Sequence, residues 1–389
     1  MADPPGLPAW AVWSAAAHAR PWTVGIEEEV MLLDPAGWAP VSRVEDALSV
    51  LPPPLAARAS PETHACVLEL KTGVHASVAA AAAELAALRR EVARELRERM
   101  GVRLAAAGTH PLATRAAGDV AAVPRYREIE ATMRDLVHRE PTMALHVHVS
   151  VPDAGAAVRA LDGLRHDVPL LLALAANSPF WGGRDSGFAS IRTPVFGMFP
   201  RSGPPRSFAD YDDYVEAVDG LLRSGAIPEP GFLWWDVRLQ PRLGTVEVRV
   251  CDAQSSVLDV APLAALVQCL VRLRSKESSR SGGSPESLAE NRFLAARDGL
   301  GAALLDERGR RGRLPAAQAL AAMVHQCAHV SDALGCSAEL EATTALAADP
   351  GHARQRRHAA RHGIRDVPRR LSDEFGRAAS RLRTSAFTG

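Results

Sequence analysis

Gly25-Ile26-Glu27-Glu28-Glu29-Val30-Met31-Leu32-Leu33-Asp34 decides how the chain is read. It is an apolar, β-prone run with three consecutive carboxylates at its centre. Side chains alternate between the faces of a strand, so Glu27 and Glu29 share one face and Glu28 takes the other. Like charges on neighbouring sheet positions repel, so something positive must compensate. A divalent cation held by oxygen ligands does this. Taken alone, Glu-Glu-Glu favours the acidic face of a solvated edge strand, and other stretches must decide.

The strand is expected from Thr23 to Leu33, and three further stretches repeat its design. Val67-Leu68-Glu69-Leu70-Lys71 alternates, with Val67, Glu69 and Lys71 on one face. Ala144 to Val151 sets His146, His148 and Ser150 on one side and valines on the other. Phe232 to Leu239 and Thr245 to Cys251 read as a hairpin through Pro241 to Gly244, with Thr245, Glu247, Arg249 and Cys251 sharing a face. In a half-buried antiparallel sheet the aliphatic face packs on helices. The other face here carries Glu27 and Glu29, then Glu69, then His146 and His148, then Glu247 and Arg249. That recurrence of metal-type ligands overturns the bland reading of the acidic run.

Elsewhere the periodicity is mostly helical. Ser77 to Met100 is rich in Ala, Leu, Glu and Arg, with Ser77 as N-cap and Gly101 just past the end. Val102 to Gly108 reads as a buried strand. Tyr126 to His138, Ala156 to Asn177, Tyr211 to Ser224 and Val257 to Ser275 are helices, and Pro169 marks a kink or break. Asn177 to Pro205 loses periodicity and reads as a long ordered loop, a kind of segment that often carries function. Ser278 to Pro285 is a flexible loop. Everything from Glu286 on reads helical, with Arg354-Gln355-Arg356-Arg357 and Arg369-Arg370 as solvated faces. Residues 1–20 form a loose lead-in, and 21–389 a single domain.

The 389 residues include 45 basic and 45 acidic side chains, so no bulk field recruits nucleic acid. Lys71 and Lys276 are the only lysines, and neither follows a glycine as a G-x-x-x-x-G-K-[ST] phosphate loop requires. Any nucleotide is held another way. Cys66, Cys251, Cys269, Cys327 and Cys336 are scattered, odd in number and without a C-x-x-C pair, which argues against a disulfide framework or structural zinc. Met1-Ala2-Asp3-Pro4-Pro5 shows no leader, and the longest apolar stretch, Val168 to Ala176, is too short to cross a bilayer. The expectation is a cytoplasmic protein acting on small molecules, with no membrane or nucleic-acid partner and with room for a homo-oligomer.

His-x-His on a strand points both imidazoles one way, as a zinc or iron pair or as hydrogen-bonded surface histidines. The carboxylate majority favours magnesium or manganese. Glu62 is either a further ligand or a turn carboxylate. Carboxylates gathered with arginine describe a metal–triphosphate site, in which Arg249 matches a phosphoryl group in a bidentate manner. Arg184 and Arg192 are either clamps for a substrate carboxylate or salt bridges within the loop. Trp234-Trp235 reads as core packing.

Seven motifs in order now carry a resemblance: Thr23-Val24-Gly25-Ile26-Glu27-Glu28-Glu29; Pro61-Glu62 with Glu69-Leu70-Lys71-Thr72-Gly73-Val74; His146-Val147-His148-Val149; Ala176-Asn177-Ser178-Pro179-Phe180-Trp181; Arg184-Asp185-Ser186-Gly187; Leu233-Trp234-Trp235-Asp236-Val237-Arg238; and Val246-Glu247-Val248-Arg249. Together they resemble the bacterial carboxylate–amine ligase family, often labelled glutamate–cysteine ligase type 2. The likeness runs from about residue 20 to the C-terminus. It implies an α+β, glutamine-synthetase-like fold, with a curved, mainly antiparallel sheet lining a funnel and helices outside. ATP and Mg2+ are implied, with Mn2+ as an alternative. Glu27, Glu29, Glu62, Glu69, His146 and Glu247 fall at metal ligands, Arg249 at the γ-phosphate, and His148 and Arg192 at substrate contacts. Glu290-Asn291-Arg292 and Arg297 are similar to a family segment that closes over the nucleotide. Thr142-Met143-Ala144-Leu145 stands where Cys-Gly is usual, and Phe188 and Ile191 where tyrosines are usual. Those departures bear on the substrate more than on phosphoryl chemistry.

The resulting expectation is an ATP-dependent ligase that forms an amide through an acyl phosphate, with Arg249 and Glu247 at the reacting centre. Glutamate is the expected donor, and cysteine or another amine the acceptor. Two alternatives stand beside it: a zinc-type metallohydrolase using His146, His148 and the glutamates, and a non-catalytic binding protein on a ligase fold.

Overall fold

A computed structural model describes residues 6–113, 119–139, 141–277, 283–306 and 312–377. Its frame is a seven-stranded sheet of β1 (Val24–Leu33), β2 (Ala59–Pro61), β3 (Val67–Lys71), β4 (Arg103–Ala105), β5 (Ala144–Ser150), β6 (Val237–Gln240) and β7 (Thr245–Asp252). The spatial order is β6-β7-β5-β1-β3-β2, with β4 pairing the outer end of β1, and every pair is antiparallel. Helices that matter below are α1 (Ala15–Ala19), α2 (Val78–Met100), α3 (Ala154–Ala175), α4 (Val257–Arg274), α5 (Pro285–Asp298) and α6 (Gly351–His362).

The register turns the alternation of each strand into rows across the sheet. Arg238 lies opposite Glu247, Glu247 opposite His148, and His148 opposite Gly25. In the next row His146 lies opposite Glu27, and Glu27 opposite Lys71. Beyond it Glu29 lies opposite Glu69 and Glu69 opposite Ser60. On the reverse face Val24, Ile26, Leu145, Val147, Val149, Val246 and Val248 bury themselves against α3 and α4.

Glu28 belongs to that reverse face and is fully buried. Arg89 of α2 reaches it with both Nε (2.7 Å) and Nη2, and also donates to the carbonyls of Gln254 (2.8 Å) and Ser255 (3.2 Å). The third carboxylate of the run is therefore structural. A buried pair is tolerable because its remaining donors are satisfied.

Several expectations need correction. Strand β7 carries a bulge: Val248 faces Val147 but Cys251 faces Leu145, one residue too many. A one-residue slip moves the following side chains to the opposite face, so Cys251 sits in the aliphatic core and not beside Glu247 and Arg249. Phe232 to Leu239 is not one strand. Trp234–Trp235 pairs in parallel with Ser202–Gly203, and only Val237–Gln240 joins the sheet. The expected strand Val102 to Gly108 shrinks to Arg103–Ala105. Helix α3 runs unbroken through Pro169, since core burial on both sides of it offsets the roughly 3 kcal/mol a helical proline costs.

The lead-in is packed from residue 9 on: Trp10 and Trp13 rest on the core, and Trp13 Nε1 donates to the Val151 carbonyl at 3.0 Å. After Glu286 the chain is not all helical, because Ala303–Leu305 and Arg313–Pro315 form a small ladder. The 354–357 run is a tether more than a solvated face. Arg354 pairs with Asp259, Gln355 donates to Asn177 Oδ1 at 2.8 Å, and Arg356 grips Asp185 through two bonds of 2.8 Å. All five cysteines are buried thiols. No described helix is long and apolar enough to cross a membrane. Residues 1–5, 278–282 of the expected flexible loop and 378–389 of the expected helical end lie outside the described residues.

Candidate active site

Five carboxylates and two imidazoles meet on the face opposite the aliphatic core. Three overlapping groups of ligand atoms each lie within 4.8 Å of one another: Glu27–Glu69–His146, Glu27–His148–Glu247 and Glu29–Glu62–Glu69. His148 Nε2 is 3.4 Å from Glu27 Oε2 and 3.8 Å from Glu247 Oε1. His146 Nε2 is 3.8 Å from Glu29 Oε1, and its Nδ1 is 3.7 Å from Glu27 Oε2. The Nε2 atoms of both histidines are buried without a hydrogen bond. Buried polar atoms are nearly always partnered, so orphaned imidazole nitrogens among carboxylates are a donor set for a cation. A carboxylate-rich set with one or two imidazoles fits a hard divalent ion.

The proton affinities separate the groups. Burial pushes Glu29 well above the usual carboxylate range, and Glu62 and Glu69 add to it. Glu69 is pushed up to about 7 by burial, Glu27 and Glu62, even though Lys71 Nζ stands 2.6 Å away. This corner holds more negative charge than the protein neutralises. Burial also works against ionised Glu27, but the adjoining imidazoles of His146 and His148 outweigh it and hold its carboxyl low. Burial, with Arg249 nearby, holds His146 down at about 3, so it is a neutral ligand. His148 goes the other way: burial opposes its charge, yet Glu247 and Glu27 prevail and raise it.

Glu247 is the best-held group of the site. Arg238 donates to it through Nε (3.0 Å) and Nη2 (3.2 Å), Gln240 through Nε2 (2.7 Å), and Arg249 through Nη1. Burial alone would raise its carboxyl, but Arg238 and Arg249 hold it well below its ordinary value. Arg249 also reaches toward His146 Nδ1 at 3.5 Å, and its backbone N–H donates to the Asp236 carbonyl at 2.8 Å. Arg292 of α5 fixes Asp236 in turn, with bonds of 2.7 and 3.0 Å.

Other expected site residues fall elsewhere. Arg192 is buried and committed to the backbone of the bulge, donating to Val250 O at 3.1 Å and Arg249 O at 3.2 Å. It positions Arg249 rather than clamping a ligand through a free fork. Arg184 is exposed on a two-residue ladder strand, and Arg297 is exposed and paired with Asp298. Asn291 is buried, its amide spent on both backbone groups of Leu305 (2.7 and 3.1 Å). Glu62 does join the cluster, half-buried, accepting from Thr63 Oγ1 at 2.7 Å.

Sequence reasoning missed Arg238 and Gln240, although their alternation on β6 was a usable signal. It also missed Ser60, which donates to Glu69 Oε1 at 3.0 Å, and Tyr126, whose hydroxyl donates to Pro61 O at 2.7 Å beside the acidic corner. Neither had a local signal.

Past the Gly25–His148 row, toward Thr23, Ser150 and Thr245, the face opens into a cavity of about 330 Å3. Arg20, Arg58 and Lys71 stand around it, with Ala16, Ala17 and Leu243 among its apolar walls.

The architecture is α+β, an antiparallel sheet with helices packed on its reverse face. The fold matches a crystal structure of glutamate–cysteine ligase from Francisella tularensis in complex with AMP, at TM-score 0.64 and 14% identity over 93% of this chain and 90% of that one. It also matches a bifunctional glutathione synthetase from Pasteurella multocida, at TM-score 0.68 and 14% identity over 91% of this chain and 52% of that one. Residues 23–374 match the model of glutamate–cysteine ligase family 2. A putative glutamate–cysteine ligase 2-3 of Rubrobacter xylanophilus is 42% identical over 88% of this chain and 94% of its own. A putative glutamate–cysteine ligase 2 of Herpetosiphon aurantiacus is 34% identical over 82% of this chain and 84% of its own. The chain belongs to glutamate–cysteine ligase family 2, and with it to the ATP-dependent ligases that form C–N bonds.

Proposed function

We propose that the protein transfers the γ-phosphoryl group of ATP to a substrate carboxylate and couples the acyl phosphate to an amine. Glutamate is the donor, and cysteine or another amine the acceptor, in line with the names of its relatives. The reading is carried by the convergence of Glu27, Glu29, Glu62, Glu69, His146, Glu247 and Arg249 on one face of the sheet. A carboxylate is a poor electrophile at neutral pH, and phosphorylation gives it a leaving group. Attack by the amine then releases phosphate and leaves the amide.

The six acidic and imidazole ligands would hold Mg2+ or Mn2+, whose charge would offset that of the glutamates and of the phosphates. Glu27 is available as an anion across the physiological range because two histidines hold it so. His146 offers a neutral nitrogen. On the cavity side Glu247 and Glu27, against burial, raise the proton affinity of His148. Arg249 is aimed beforehand by Glu247, by its own N–H on Asp236 and by Arg192 beneath it, so it stabilises transferring charge without rearrangement. The nucleoside takes the cavity. The protein works in the cytoplasm on small molecules, as one catalytic unit from residue 21 onward.

The test is a panel of amino acids with ATP and Mg2+, followed by phosphate release and product mass. Release that requires both a carboxylate and an amine supports the reading; ATP-independent hydrolysis of a panel member with bound zinc would replace it.

A further inference from the structure

The stretch shared with the family begins at residue 23, yet one wall of the cavity is made before it. Ala16, Ala17 and Arg20 line that wall, across from Arg58 and Lys71. The segment is fastened in place. Ser14 N donates to Pro241 O, Trp22 N to Ser150 O, and Ser150 Oγ to Arg20 O, each at 2.9 Å. Gly244, at the β6–β7 turn, has φ +68°, and a Cβ there would stand 2.3 Å from the Cβ of Ala17. The turn is shaped to let the segment lie against it.

Of the three cations, Lys71 faces Glu69 at 2.6 Å and Arg58 faces Glu84 at 3.6 Å. Among the described residues the Arg20 guanidinium has no hydrogen-bond or ion-pair partner. An unpaired guanidinium beside a cavity that runs into the carboxylate–imidazole rows is placed for an anion. The small apolar walls suit a flat base better than a second anion, and the volume is in the range of small-molecule sites. Gly25 makes the room: it shares the face of Glu27 but puts no side chain on the cavity floor.

We propose that Ser14–Arg20 is a wall of the nucleotide site, with Arg20 contacting phosphate oxygens of ATP and the nucleoside seated between α1 and Gly25. This rests on the ATP reading above. The experiment is calorimetric binding of Mg·ATP and of Mg·triphosphate to the full chain, wild type against Arg20→Ala, Arg20→Lys and Gly25→Val. A Cβ at Gly25 meets only Gly73 O at 3.7 Å and His148 Cβ at 4.0 Å, so the valine enters the cavity without a backbone clash at its first atom. Thermal midpoints confirm that each variant is folded. Arg20→Ala should weaken both ligands about tenfold, with partial recovery in Arg20→Lys. Gly25→Val should weaken ATP about tenfold and leave triphosphate near wild type. Wild-type affinity for ATP in both Arg20→Ala and Gly25→Val overturns the inference while the ATP reading stands. Loss of ATP but not of triphosphate in Arg20→Ala overturns the phosphate contact. A wild type that does not bind Mg·ATP removes the reading itself.

Discussion

Binding of a divalent cation at the Glu29–Glu62–Glu69 corner must expel protons. Burial, Glu27 and Glu62 push Glu69 from 4.5 up to about 7 in the cation-free protein. A carboxylate ligand must be ionised. At pH 6 Glu69 carries about 0.9 of a proton, at pH 7 about half, and at pH 8 about a tenth. Titration with Mg2+ at pH 6 should therefore release about one proton from Glu69, with Glu29 adding to it, and the Glu69 share should fall steeply by pH 8. Calorimetry in two buffers of different ionisation heat gives the number directly. The same shift makes stability depend on pH. The folded value lies above the unfolded one, so the contribution is full below pH 4.5 and is lost as pH rises through about 7. Over that window it is on the order of 3 kcal/mol, and saturating Mg2+ should abolish the loss. Glu69→Gln should cut proton release at pH 6 by about one. Heats at pH 6 that do not differ between buffers would refute the reasoning.

Glu28→Gln leaves Arg89 buried and half-paired, and should cost about 3–5 kcal/mol in denaturant unfolding; a loss below about 1 kcal/mol would show that the pair relaxes freely. Arg192→Lys loses the planar two-nitrogen fork that spans the carbonyls of Arg249 and Val250, so kcat for phosphate release should fall about tenfold with the thermal midpoint little changed. An unchanged kcat would detach the bulge from the aim of Arg249. Gly244→Val combines a left-handed backbone with the contact on Ala17, and should lower stability by about 2 kcal/mol or more by chemical denaturation.

Most of the candidate ligand set was legible because alternation belongs to the backbone. Once Gly25–Leu33, Val67–Lys71, Ala144–Ser150 and Thr245–Arg249 read as strands, the faces of Glu27, Glu69, His146 and Glu247 followed. What depended on distant partners was not legible. Glu28 could be called structural only with Arg89, 61 positions on, in view. Arg192 and Asn291 looked like ligand contacts because their types suit ligands, but backbone carbonyls claimed them first. The bulge was invisible because Val248-Arg249-Val250-Cys251 alternates without a break. The packed lead-in was hidden by its composition, since Pro and Ala say little about the tryptophans that pin it.

The surplus residue in β7 has a mechanical consequence. Arg249 and Asp252 are three apart, and in a regular strand they would point to opposite sides. The extra residue brings Asp252 round to the 177–192 loop, where it accepts from Asn177 N (2.8 Å), Ser178 Oγ (2.7 Å) and Ser190 Oγ (2.8 Å), 3.8 Å from Arg192 Nη1. Arg192, rooted in that loop, grips the carbonyl of Arg249. The 177–192 loop and Arg249 thus share one mounting, so whatever displaces one of them strains the bonds that hold the other.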